Sequence, residues 1–259
     1  MSDFLDVLAR VAQITIEDEY YDAAKPAESL HCSLRKAILG CQAVPIVTEI
    51  KSASPSAGLI RLNVNSTEVA KAMRAGGAVA LSVLTEPKQF NGSLEALASA
   101  REAVELPILM KDIILSPIQI QAASKMGANA VLLIKALFDR GYCEKSLEEM
   151  IVGAHMLGLE VLLEAHTEAE FCSAVETDAD LIGINNRNLG TLKVDLNVTK
   201  NILSKNDANG KLVISESGIK TTADISFLRE SGACAFLIGS AIMSTGDVEA
   251  NVRKFVNAK

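Results

Sequence analysis

Four short apolar runs recur along the chain. They are Gly77-Ala-Val-Ala-Leu-Ser-Val83, Gly127-Ala-Asn-Ala-Val-Leu-Leu133, Asp178-Ala-Asp-Leu-Ile-Gly-Ile184 and Gly232-Ala-Cys-Ala-Phe-Leu-Ile238. Each comes after a segment of helical pattern, and a glycine there suits the left-handed position just past a helix end. The segment after the glycine is short and apolar enough to read as a buried strand. The runs recur at intervals of 50, 51 and 54 residues. One strand and one helix take about half of that, so each interval must hold a further strand. Pro107–Lys111, Leu159–Glu164 and Lys211–Ser215 supply them, and Pro45–Lys51 adds one at the front. Helical patterns fall between them at 66–75, 93–104, 117–126, 146–157, 167–175, 196–205, 222–230 and 247–257. Eight alternations predict an α/β fold, a (β/α)8 TIM barrel. A doubly wound open sheet also alternates but seldom keeps such a period through eight units. Residues 44–259 form the barrel and residues 1–43 an N-terminal extension of one or two helices, all in a single domain.

A barrel of this kind carries its chemistry at the C-terminal strand ends. The first strand ends in Glu49 and Lys51, which point the same way because strand faces alternate. The third ends in Lys111, the fifth in Glu164 and the sixth in Asn185, with Asn186 and Arg187 beside it. The seventh runs into Ser215-Glu216-Ser217-Gly218 and the eighth into Gly239-Ser240. Charges at buried strand ends are costly unless paired, so these groups predict a network around a ligand. Gly218 and Gly239 would each pass singly for turn glycines. On these two loops together, with a short helix expected from Ser240 to Met243, they predict a phosphate site.

Composition narrows the class of ligand. The chain has 259 residues, 49% of them apolar, and a formal net charge of -7. That balance argues against nucleic acid held by bulk charge but leaves room for a local pocket binding an anionic small molecule. The five cysteines (Cys32, Cys41, Cys143, Cys172, Cys234) are odd in number and lack C-x-x-C spacing. They read as reduced thiols of a cytoplasmic protein. The start, MSDFLDVLAR, is not a secretory signal, and no apolar run approaches the ~20 residues needed to span a bilayer. The three histidines lie far apart, so no metal site is expected.

Together these stretches identify a resemblance. Glu49-Ile-Lys-Ser-Ala-Ser-Pro-Ser-Ala-Gly58, Leu81–Glu86 with Phe90-Asn-Gly92, Leu109-Met-Lys-Asp112, Leu162-Leu-Glu164, Gly183-Ile-Asn-Asn-Arg187, Ser215–Ile219 and Leu237–Ser240 are in order the motifs of the indole-3-glycerol phosphate synthases. The chain resembles that family over residues 44–257 and departs from it over the first 43. The resemblance implies a lyase of tryptophan biosynthesis that closes the ring of 1-(2-carboxyphenylamino)-1-deoxyribulose 5-phosphate, releasing carbon dioxide and water. It implies no cofactor or metal, and either a monomer or association with another enzyme of the pathway. Lys111 or Lys51 would be the general acid, with Lys111 favoured, Glu164 the base, and Glu49 the group that orients a lysine or the leaving hydroxyl. Asn185 and Arg187 would hold the ring carboxylate or the sugar hydroxyls. Ser54, Pro55 and Ser56 would shape the loop over the anthranilate end. Ser217, Gly218, Gly239 and Ser240 would hold the phosphate, and Glu216 is a further binding candidate. Asp112 reads as a brace for its loop. The two lysines are expected to lower each other's pKa. Ser52, Ala57 and Ile113 stand where relatives often carry Arg, Lys and Phe, which bears on substrate affinity. The competing readings are a phosphosugar isomerase on the same barrel and a catalytically silent barrel subunit.

Overall fold

The structure, a computed structural model, describes residues 3–27, 30–51, 53–54, 58–59, 65–244 and 246–258. Ser52, Pro55, Ser56 and Ala57 lie outside the described residues, as does the side chain of Ser54. Among the described residues, eight strands form the barrel: β1 Ile46–Ile50, β2 Ala80–Leu84, β3 Ile108–Lys111, β4 Ala130–Ile134, β5 Glu160–Ala165, β6 Leu181–Asn185, β7 Leu212–Glu216 and β8 Ala235–Ile238. All neighbours are parallel, and pairing of β1 with both β2 and β8 closes the ring. Helices lie between the strands within a few residues of their expected places, from Ser66–Ala75 after β1 to Val248–Val256 after β8. Gly77, Gly127 and Gly232 do adopt the left-handed conformation expected past a helix end, with φ of 96°, 77° and 105°. Ser146 and Glu149 close the start of their helix reciprocally, each side-chain oxygen accepting from the other's backbone N–H at 3.2 and 2.9 Å.

Strand alternation sorts the side chains into two buried layers. Ile46 and Ile50, Ile108 and Met110, Val131 and Leu133, and Val161 and Leu163 face outward into the helix layer. Val47, Leu109, Leu132, Leu162, Leu181, Ile214 and Leu237 face inward and fill the barrel. Two residues past the last inward apolar position come Glu49, Lys111, Glu164 and Glu216. The period of two that packs the barrel thus also aims these charges into its mouth.

The N-terminal extension caps both ends. Helix α1, Phe4–Glu17, buries Leu5, Leu8, Ala9 and Ala12 in the inner layer together with Ile113 and Ile134, which lie toward the C-terminal strand ends. Arg140, just past β4, fastens its start by ion pairs at 2.7 Å to both Asp3 and Asp6. Helix α2, Leu34–Gly40, closes the opposite end: Leu34 and Ile38 enter the inner layer. There Ser33 Oγ and the Arg35 N–H donate to Glu160, the first residue of β5. Between the two, a short turn, Tyr20–Ala23, clamps the side of the barrel. Tyr21 donates to Asp112 at 3.0 Å and accepts from Gln119 at 3.1 Å, and Thr85 donates to the same Asp112 oxygen at 2.5 Å. Asp112 is therefore the brace the sequence suggested. This turn and the one-turn helix Lys135–Asp139 are too short to leave a periodic signal.

Candidate active site

A cavity of about 750 Å³ opens at the C-terminal mouth of the barrel. Glu49, Lys51, Lys111, Glu164, Asn185, Arg187, Glu216, Ser217, Gly218, Gly239 and Ser240 all line it. These are the sequence-derived candidates whose side chains are described, and the fold brings them to one place. Asp112 contributes to the wall as well.

The centre is a charge network. The Lys111 ammonium lies 3.0 Å from Glu216 Oε2 and 3.2 Å from Glu164 Oε2. Asn185 Nδ2 donates to the other Glu164 oxygen at 2.9 Å, and Asn185 Oδ1 accepts the Arg187 backbone N–H at 2.9 Å. His166 sets a ring nitrogen 2.6 Å from the Asn185 carbonyl. Across the mouth, Lys51 pairs with Glu49 at 2.5 Å. Arg187 is half-buried and its guanidinium donates to the Leu192 carbonyl at 3.1 Å.

Burial and charge work against each other here. Burial disfavours the Lys111 ammonium, but the carboxylates of Glu216, Glu164 and Glu49 more than offset that and hold it above the ordinary lysine range. The expectation that two lysines would lower each other's pKa is therefore wrong for Lys111. The reason is that acidic partners surround this lysine, while Lys51 has its own carboxylate. Glu216 responds the other way. Burial pushes its carboxyl up to about 7, with Lys111 pulling it down and Glu164 adding to the rise. Among the described residues its Oε1 is buried without a hydrogen-bond partner. Burial likewise raises Asp112 to about 6, against the donors Thr85, Ile113 N–H and Tyr21.

The two glycine loops line the same cavity. Ser217 and Gly218 both have positive φ, 66° and 84°, and a Cβ on Gly218 would lie 2.4 Å from Val194. Asn186 fixes this turn, its Nδ2 donating to Ser215 Oγ and the Glu216 and Ser217 carbonyls at 2.9–3.2 Å. After β8, Gly239 precedes the four-residue helix Ser240–Met243, the short helix expected from sequence.

The apolar wall was largely missed. Phe4 and Leu8 of α1, Phe90 after β2, and Leu189 and Leu192 after β6 line the cavity with Ile113. The signal for α1 was present in its apolar face, but nothing local says that this face meets the barrel mouth.

The family model described as indole-3-glycerol phosphate synthase matches residues 5–255 of this chain. A protein of Neisseria meningitidis serogroup B named indole-3-glycerol phosphate synthase is 44% identical over 209 residues, covering 81% of this chain and 78% of that protein. One of the same name from Mycolicibacterium smegmatis is 38% identical over 255 residues, covering 98% and 90%. Among solved structures, a thiamine phosphate pyrophosphorylase from Pyrococcus furiosus superposes with a TM-score of 0.60 at 16% identity, covering 86% of this chain and 96% of that one, a likeness of fold alone. With a lysine between two buried glutamates, glycine loops lining the same cavity, and sequence matches of this extent, the chain belongs to the indole-3-glycerol phosphate synthase family.

Proposed function

We propose that Lys111, Glu164 and Glu216 carry the ring closure by which this carboxy-lyase of tryptophan biosynthesis makes indole-3-glycerol phosphate. The substrate is the phosphorylated 1-(2-carboxyphenylamino)-1-deoxyribulose 5-phosphate. The observation that carries the assignment is the Lys111 ammonium held 3.0 and 3.2 Å from two buried carboxylates inside the cavity.

The chemistry divides among these groups. The ring carbon bearing the carboxylate attacks the ketone carbon, and negative charge gathers on the ketone oxygen. An ammonium within hydrogen-bond reach stabilises that oxygen and gives it a proton once its basicity exceeds the amine's. Loss of carbon dioxide leaves its electron pair to the ring and restores aromaticity. Glu216, with a carboxyl raised to about 7, restores the proton on Lys111. Lys111 then gives this second proton to the new hydroxyl, which departs as water, and Glu164 accepts the proton released as the indole forms. Asn185 holds Glu164 in place. Glu49 orients Lys51, and with Arg187 these face the substrate carboxylate and hydroxyls. The backbone of Ser217-Gly218 and Gly239-Ser240 receives the phosphate. Ser54, Pro55 and Ser56 belong to the loop assigned to the anthranilate end.

We also place the protein in the cytoplasm, which its five free thiols support. No described helix is long and apolar enough to cross a membrane. It works as a monomer or beside another enzyme of the pathway. The test of the activity is direct: purified protein is given the carboxyphenylamino substrate and indole fluorescence is monitored. No product at saturating substrate would overturn the reading.

A further inference from the structure

Gly183 occupies the middle of the inward face of β6, between Leu181 and Asn185. It is paired with Glu164 of β5 on one side and Ile214 of β7 on the other. A Cβ at Gly183 would lie 2.2 Å from Glu216 Oε1 and 3.3 Å from Glu216 Cδ. The next neighbour, Leu162 Cδ1, is at an ordinary 3.5 Å. The backbone of Gly183 is not in the left-handed region, so the absent side chain answers no conformational demand. A glycine within a strand also costs stability relative to alanine. What the missing Cβ supplies is room for one carboxylate.

We infer that Gly183 is a positioning residue that seats the Glu216 carboxylate against Lys111. Glu216 fills the space above the glycine, and that placement brings Oε2 to 3.0 Å from the Lys111 ammonium. Any larger side chain at 183 displaces Oε1 by about 1 Å before ordinary contact is restored. The displaced group is the free end of a side chain, so the strand holds and the carboxylate moves. A reacting group misplaced by about 1 Å can lose about 10²-fold in rate.

This inference rests on Lys111 and Glu216 acting in the reaction, and the experiment separates the two claims. Gly183→Ala is made in the natural chain and in a Glu216→Ala background, and kcat, KM and Tm are measured for all four proteins. The expected result is a 10- to 100-fold fall in kcat with KM within about threefold for Gly183→Ala alone. Tm should fall as well. In the Glu216→Ala background the same substitution should change neither kcat nor KM and should leave Tm equal or higher, because nothing remains for the Cβ to strike. Losses that repeat in both backgrounds overturn the inference, as does wild-type turnover in Gly183→Ala. If Gly183→Ala fails to fold, recovery of folding in the double variant supports the seat and failure in both refutes it. Should the activity of Glu216→Ala fall below detection, the four Tm values decide alone. An unsubstituted chain inactive on the substrate would instead defeat the functional reading.

Discussion

Glu216→Gln isolates one charge in a nearly isosteric change. Glu216 is 1% exposed, and burial holds its carboxyl at about 7, above the ordinary value of about 4.5. A folded-state pKa above the unfolded one means that the native protein binds the extra proton between those values. Stability contributed by the neutral form is complete below about pH 4.5 and is lost as pH rises toward 7. Between pH 5 and pH 8 the natural protein should therefore lose about 2–3 kcal/mol that a glutamine, which does not titrate, retains. Urea unfolding at the two pH values measures this. The chain has no tryptophan, so circular dichroism is the signal. The stability of Glu216→Gln relative to the natural protein should rise by that amount from pH 5 to pH 8. A difference that is flat with pH, or that tilts the other way, would refute the argument, since it would make Glu216 a permanent anion. In activity, the variant should show a lower kcat and lose the inflection near pH 7 in its kcat/KM profile.

Lys111→Ala should lower kcat by about 10²–10⁴ while the protein still folds, read by product fluorescence and circular dichroism; near-normal turnover would reassign the acid. Glu164→Gln should fall in kcat likewise, and an effect confined to KM would make Glu164 a binding residue. Arg140→Ala should free the start of α1 and withdraw Phe4 and Leu8 from the cavity wall, raising KM several-fold with kcat little changed. The same contacts bear on acid stability. The Arg140 hydrogen bond holds Asp6 at about 2, so its contribution is complete above about pH 4 and is lost as pH falls toward 2. Limited proteolysis near the N-terminus should accelerate over that window, and should not do so in Arg140→Ala.

The strand count was legible because the repeat spacing exceeded one βα unit; parity put Glu49 and Lys51 on one face, and their places at C-terminal strand ends put Lys111 and Glu164 at the same rim. Which of the rim charges pair across the barrel was only partly legible. Glu216 is 105 positions from Lys111, and only the closure of the ring selects it from the charges gathered at the rim. With that choice open, the two lysines were weighed against each other, and the sign of the Lys111 shift came out reversed. The seat at Gly183 was equally hidden, since a glycine inside an apolar run gives no hint of which side chain fills its space. Tyr21 and the apolar face of α1 share this limit: their partners, Asp112 and the barrel mouth, lie far along the chain.

The extension also bears on the order in which the protein is made. Asp3 and Asp6 meet Arg140, 137 and 134 residues later, and Ser33 meets Glu160 after 127. When α1 and α2 leave the ribosome, neither the arginine nor the glutamate that will receive them has been synthesised. The leucines of both helices must wait in solvent, or on a chaperone, until about half of the barrel has emerged. These two helices are thus held back from docking although they precede the barrel in the chain, and sealing of the two barrel ends belongs to the later stages of folding.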